Sequence, residues 1–168
     1  MMDTIKGKIW IFGDDINTDA IVPGAYISSP MEEVVKHVLE SENPDFAINF
    51  KKDDIIAGGA NFGCGSSREN APEALKRMGI GAIIARSFAR IFFRNAVALG
   101  IPVMTVENSP DGFSEGNMVE VDVEEAEIKN LTTGEIINGT PLYKDILDVI
   151  KMGGIVPLMK DMKSRISE

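Results

Sequence analysis

Between Asp54 and Val106 the chain alternates short apolar runs with segments of helical spacing, and that order admits few folds. Asp54 to Ala57, Gly81 to Ala85 and Ile101 to Val106 are too short for helices and rich in Ile, Val and Ala, so each reads as a buried strand. Arg68 to Met78 carries apolar residues at helical intervals, and Phe88 to Leu99 reads as a second, largely buried helix. Gly79 and Gly100 stand where those helices stop. A strand-helix-strand-helix-strand order implies parallel neighbours, because each crossover returns the chain to the same end of the sheet. The expected class is α/β.

The flanks add a second kind of structure. Ile5 to Phe12 alternates as a strand and runs into Gly13-Asp14-Asp15-Ile16-Asn17-Thr18-Asp19, a polar segment of turn formers. Ile21 to Pro30 holds two prolines and a glycine and reads as a long ordered loop. Met31 to Leu39 has helical spacing, with Ser29 as its cap and Glu32 and Glu33 in its first turn. Met118 to Ile137 reads as two or three strands, and Tyr143 to Lys151 and Val156 to Lys163 as closing helices. With no repeat, low-complexity tract or linker, residues 1–168 are expected to form one domain.

Charge and composition narrow the function classes. A net charge of −9 opposes binding to a phosphate backbone, so nucleic acid is not an expected partner. No apolar run approaches the roughly 20 residues of a membrane span, and the segment opening at Met1 lacks the pattern of an export signal. A cytoplasmic protein is the expectation. Cys64 is the single cysteine, which excludes an internal disulfide and leaves no thiolate set for a metal; no metal ligands are assigned on this chain.

The densest chemistry lies in Gly58-Gly59-Ala60-Asn61-Phe62-Gly63-Cys64-Gly65-Ser66-Ser67-Arg68-Glu69, joining a strand to a helix. Its glycines allow close backbone approach, the hydroxyls of Ser66 and Ser67 and the fork of Arg68 suit an anion, and a carboxylate would fit. Ser66 and Glu69 also stand at capping-box spacing, which would satisfy helix amides with no ligand at all; from spacing alone both readings remain open. The segment is neither a Walker loop nor Gly-x-Gly-x-x-Gly. Cys64 reads as a small buried spacer rather than a nucleophile, since no histidine lies near it. His37, the only histidine, reads as solvated. Arg90 and Arg94, four apart on an apolar helix, read as structural, one salt-bridged internally and the other facing the cleft.

Gly65-Ser66-Ser67-Arg68-Glu69, followed by Ser87-Phe88-Ala89-Arg90-Ile91 and Asn95, resembles the mobile C-terminal domain of aconitases and the separate small subunits of isopropylmalate dehydratase and homoaconitase. Gly13 to Asp19 and Pro23-Gly24-Ala25-Tyr26 resemble that family's N-terminal motifs, so the likeness covers most of residues 5–105. It implies a swivelling β/β/α domain with a parallel core and an antiparallel unit, closing over a 4Fe-4S cluster held by a larger subunit. It also implies a hydro-lyase that shifts a hydroxyl between adjacent carbons by dehydration and rehydration. The cluster iron would then be the Lewis acid. By the same match Ser66, after Gly65, is the general base, Arg68 binds a substrate carboxylate, Ser67 orients it, and Asp19 orders the recognition loop or the serine's surroundings. Asp19 also reads as a plain turn-former. A serine needs stabilising positive charge to serve as base.

The loop Tyr26-Ile27-Ser28-Ser29 matches the segment that contacts the substrate's variable substituent in this family. Arginine is typical at the Ser28 position where a third carboxylate is read, and an apolar residue where the substrate is an alkylmalate; Ser28 is neither. Without a cation there, a third carboxylate loses a charge-assisted bond worth about 1.5–3 kcal/mol. The expected substrate is isopropylmalate, with homocitrate or dimethylmalate as alternatives, and a non-catalytic carboxylate-binding module as the alternative of another class. An isolated subunit of this kind is expected to expose an apolar rim and to self-associate.

Overall fold

In a computed structural model of the chain, strand β1 (Ile5–Ile11) is where two kinds of sheet meet. Its first half, Ile5 to Lys8, pairs antiparallel with β5 (Met118–Asp122); its second half, Ile9 to Ile11, pairs parallel with β2 (Ile55–Gly58). Beyond β2 lie β3 (Ala82–Ala85) and β4 (Val103–Thr105), both parallel, and beyond β5 lie β6 (Glu127–Asn130) and β7 (Ile136–Asn138), both antiparallel. The order is β4-β3-β2-β1-β5-β6-β7. This is the expected α/β fold, a parallel core with an antiparallel unit. The structure describes residues 2–167; Met1, which opens the segment read above for an export signal, and Glu168 lie outside the described residues.

The parallel strands are apolar throughout because both of their faces are covered. Trp10, Ile56, Ile83 and Ala85 join a core with α4 (Asn70–Met78) and α5 (Arg90–Ala98), while Ile9, Ile55, Ala57, Ala82 and Ile84 join a second core with Val119, Val121, Ile128 and Phe113. The buried Asp54 carboxylate accepts from the Trp10 indole at 3.0 Å and from the amides of Lys8 and Lys51 at 3.1 and 2.9 Å, locking β1 to the entry of β2. The remaining helices are α1 (Thr18–Ile21), α2 (Met31–Val34), α3 (Phe46–Asn49), α6 (Lys144–Lys151) and α7 (Ile155–Ile166). None is long and apolar enough to cross a membrane.

Two expectations change, and one of two open readings falls away. The helix expected over Met31–Leu39 is a single turn, α2, whose cap is Pro30 with no side-chain bond; Ser29 does not cap it. Turns then carry the chain to Leu39 at φ +57° and bury Val34, Val38 and Leu39 without helical periodicity. α5 is not largely buried: Phe92 and Ala96 alone are buried, and Arg90, Ile91 and Arg94 face solvent. Finally, Ser66 caps nothing. α4 starts at Asn70 after Glu69, with no side-chain cap, so the Ser66–Glu69 spacing makes no capping box. α7, too, leaves Ile155, Val156, Met159, Met162 and Ile166 exposed.

Candidate functional site

The three motifs lie at the carboxyl ends of β1, β2 and β3 and continue the parallel ladder beyond the regular strands. Gly59 N–H donates to Gly13 O at 2.9 Å, Asp15 N–H to Ala60 O at 2.8 Å, Gly63 N–H to Ile16 O at 2.7 Å and Thr18 N–H to Cys64 O at 2.8 Å. On the other side Arg86 N–H donates to Gly59 O at 3.0 Å, Phe62 N–H to Ser87 O at 3.0 Å and Ala89 N–H to Phe62 O at 2.9 Å. Segments far apart in sequence are thus zipped into one unit at the end of an open parallel sheet, where such folds bind ligands. The glycines make the zip achievable. Gly63 sits at φ +83° with its α-carbon against the Phe92 ring, and a Cβ on Gly59 would overlap the Asp14 carboxylate.

A cleft of about 190 Å³ opens at this end, lined by Ser66, Ser67, Arg68, Arg90, Asn95 and Thr18, among others. Gly65, at φ +98°, turns the chain so that Ser66 and Ser67 stand exposed at its rim. Asn17 caps α1 by accepting from Ala20 N–H at 2.8 Å, which sets Thr18 and Asp19 in the first turn. Buried Thr18 gives its hydroxyl proton to Ser66 O at 3.0 Å and lies 3.4 Å from Ser66 Oγ. Having one proton to give, the Thr18 hydroxyl meets Ser66 Oγ as an acceptor, and so holds the serine hydroxyl from behind. Thr18 was missed in the sequence, where it stands in a turn-forming run; its one signal is that it immediately precedes Asp19.

Asp19 Oδ1 lies 2.6 Å from Arg68 Nη1. The carboxylate fixes the guanidinium as a charge pair, with Nη1 buried against it and out of hydrogen-bond alignment, so any contact to a ligand falls to the other guanidinium nitrogens. Arg90 and Arg94 correct an expectation: among the described residues neither forms the internal salt bridge read for one of them, although Arg90 does line the cleft. Cys64 is half-buried, and burial, with the nearby Asp15 charge second, pushes its thiol pKa up, away from the thiolate a nucleophile requires. Among the described residues no group of three His, Cys, Asp or Glu side chains could hold a metal ion, so this chain's residues do not fit a cluster site.

Tyr26, Ile27, Ser28 and Ser29 do not line the cleft; they form a short turn of their own after a 3-10 segment, Gly24–Tyr26. Ser28 and Ile27 are exposed. His37 is not simply solvated: its ring stacks on Tyr26 at 3.7 Å and 6°, and its nitrogens meet Glu40 at 2.7 Å and Glu33 at 3.2 Å. The hydrogen bond to Glu40 raises the His37 pKa above its ordinary value; burial opposes this, and Glu33 adds to the rise. This histidine's contribution is therefore fully present below about 6.5 and lost as pH climbs through the raised value. Glu33 is lowered, first by His37 and then by Lys36, so its contribution is present above about 4.3 and lost as pH falls through the lowered value. The loop is held most firmly between those two ordinary values. NMR titration of this lone imidazole should give a midpoint above about 6.5 that drops in Glu40→Gln; a midpoint at or below it would remove the latch.

The chain matches the Aconitase C-terminal domain family over residues 16–109, which take in the second and third zipped motifs and the first from Ile16 onward. It is 46% identical over 161 residues to the 3-isopropylmalate dehydratase small subunit 1 of Methanopyrus kandleri, covering 95% of each chain. It is 45% identical to the isopropylmalate/citramalate isomerase small subunit of Methanocaldococcus jannaschii, covering 95% of this chain and 96% of that one. The crystal structure of 3-isopropylmalate dehydratase (leuD) from Methanocaldococcus jannaschii superposes with a TM-score of 0.92 at 37% identity, covering 98% of both chains. With its three motifs zipped at one end of the parallel sheet and its near full-length likeness to these small subunits, the chain belongs to the aconitase C-terminal domain family.

Proposed function

We propose that this chain is the small subunit of a cytoplasmic 3-isopropylmalate dehydratase, converting 2- and 3-isopropylmalate by dehydration and rehydration once docked on a large subunit that carries the 4Fe-4S cluster. The observation that carries the reading is the cleft itself, in which an exposed serine held by Thr18 shares a wall with Arg68 and Arg90. In this reading Arg68 and Ser67 hold a substrate carboxylate, Asp19 keeps Arg68 in place, and Ser66 takes the proton from carbon and returns it on rehydration. The cleft is only half an active site, because it offers proton-transfer and carboxylate-binding groups and no electrophile.

Residues 23–30 carry no Lys or Arg, which suits an alkyl substituent and not a third carboxylate. A methyl-bearing citramalate is the second reading, favoured by the name of the M. jannaschii relative, which gives both compounds. Ser28→Arg should shift the ratio of specificity constants toward tricarboxylates such as homocitrate by about tenfold or more; an unchanged ratio would take this loop out of substrate selection.

The test is hydration of isopropylmaleate after anaerobic assembly with the large subunit. Activity that needs both chains is expected. A stable complex with an intact cluster that hydrates no alkylmaleate and acts on no tricarboxylate would leave a carboxylate-binding module.

A further inference from the structure

Of the six arginines in the chain, four stand beside a carboxylate: Arg68 by Asp19, Arg77 by Glu32, Arg86 by Asp14 and Asp111, and Arg165 by Asp161. Among the described residues Arg90 and Arg94 have no such partner, in a chain with 26 acidic and 17 basic side chains. The two are one turn apart on α5, opposite its buried residues Phe92 and Ala96, and they share their outward face with Ile91, which is 51% exposed. Three clefts follow this face, each sharing at least one lining residue with the next. Arg90 lines both the Ser66 cleft and a neighbour of about 440 Å³; Phe93, Arg94 and Ile146 line that neighbour and a third cleft of about 240 Å³, apolar apart from Arg94, that ends at Ile155.

We infer that this face of α5 is the docking surface for the large subunit, which meets Arg90 and Arg94 with acidic side chains and fills the apolar cleft beyond them. The inference rests on the heteromeric reading above. A small hydroxy-acid substrate does not fill a row of clefts of about 190, 440 and 240 Å³. A second copy of this chain is disfavoured because a two-fold contact on this face would set arginine against arginine. The two guanidinium groups also fix the partner's chemistry: covering them without carboxylates would leave buried charge unpaired, which is strongly unfavourable. The continuity of the row with the Ser66 cleft means that a partner seated here also closes that cleft from water.

The experiment measures the affinity of the full chain for the purified, cluster-loaded large subunit. Arg94→Glu, with an unchanged melting curve, is expected to weaken binding by about tenfold or more, and Arg94→Gln by less, whereas Lys129→Glu on exposed β6 changes it by less than about twofold. The wild-type affinity should fall as salt is added. Wild type that binds while Arg94→Glu binds equally well would overturn the inference and leave the heteromeric reading standing. If Arg94→Glu alters self-association of the isolated chain and not its affinity for the large subunit, the occupant is a second copy and the inference is likewise lost. Wild type that does not bind the large subunit at all would overturn the heteromeric reading itself.

Discussion

Ser66→Ala, assembled with the large subunit, is expected to lower kcat by about three to four orders of magnitude with KM changed by less than about threefold. At about 1.36 kcal/mol per decade, that is roughly 4–5.5 kcal/mol of transition-state stabilisation. The size follows from what else lines the cleft. Its polar side chains are Thr18, Ser66, Ser67, Arg68, Arg90 and Asn95, with no carboxylate, histidine or lysine among them. The nearest carboxylate, Asp19, is engaged with Arg68, so among the lining side chains a hydroxyl flanked by positive charge is left to accept a proton, and alanine keeps the backbone turn at Gly65 while deleting that hydroxyl. The measurement is steady-state hydration of isopropylmaleate by wild-type and variant complexes of equal cluster content. A loss smaller than tenfold would move the base to Ser67 or to the large subunit.

Arg68→Lys should lower kcat/KM by about a hundredfold, most of it in KM, although the charge is kept. Under the proposed function Arg68 serves two directions at once: Nη1 lies 2.6 Å from Asp19 Oδ1, and the other guanidinium nitrogens, on a residue that lines the cleft, would hold the substrate carboxylate. A lysine has one nitrogen and must choose between them, so the variant loses either the anchor or the ligand contact, each about 1.5–3 kcal/mol for a charged hydrogen bond. Asp19→Asn, which frees the guanidinium without removing it, should fall between wild type and Arg68→Lys. Substrate titrations that give the same KM for Arg68→Lys and wild type would exclude Arg68 from carboxylate binding.

The parallel core was legible because its strands are buried on both faces and therefore continuously apolar, and because Gly79 and Gly100 mark the helix ends. The antiparallel unit was legible from alternation such as that of β5, where Val119 and Val121 point inward between outward neighbours. Misreadings came where one local pattern serves two structures. Val34, Val35 and Val38 have helical spacing, yet turns closed by Leu39 bury Val34 and Val38 equally well. Ser66 and Glu69 have capping-box spacing, but the helix begins beyond both. The apolar residues of α5 suggested a largely buried helix, while its outward face holds two arginines that, among the described residues, have no carboxylate beside them. Thr18 was invisible for a different reason. Its partner, Ser66, is 48 residues away and reaches it only through the backbone zip.

The turn from Pro23 to Pro30 stands apart from that zip: its amides bond among themselves, Tyr26 N–H to Pro23 O at 2.9 Å and Ser29 N–H to Tyr26 O at 3.0 Å, and it is held to the rest of the chain through Tyr26, which stacks on His37 and packs against the core. Under the proposed function, the turn that would select a substituent is therefore built separately from the segment that would move protons. Such a division lets a lineage, or an engineer, rewrite one short turn to admit a longer, shorter or more charged hydroxy acid while the ladder that aligns serine and arginine is inherited intact. Changes of preference should then accumulate between the two prolines, and losses of turnover outside them.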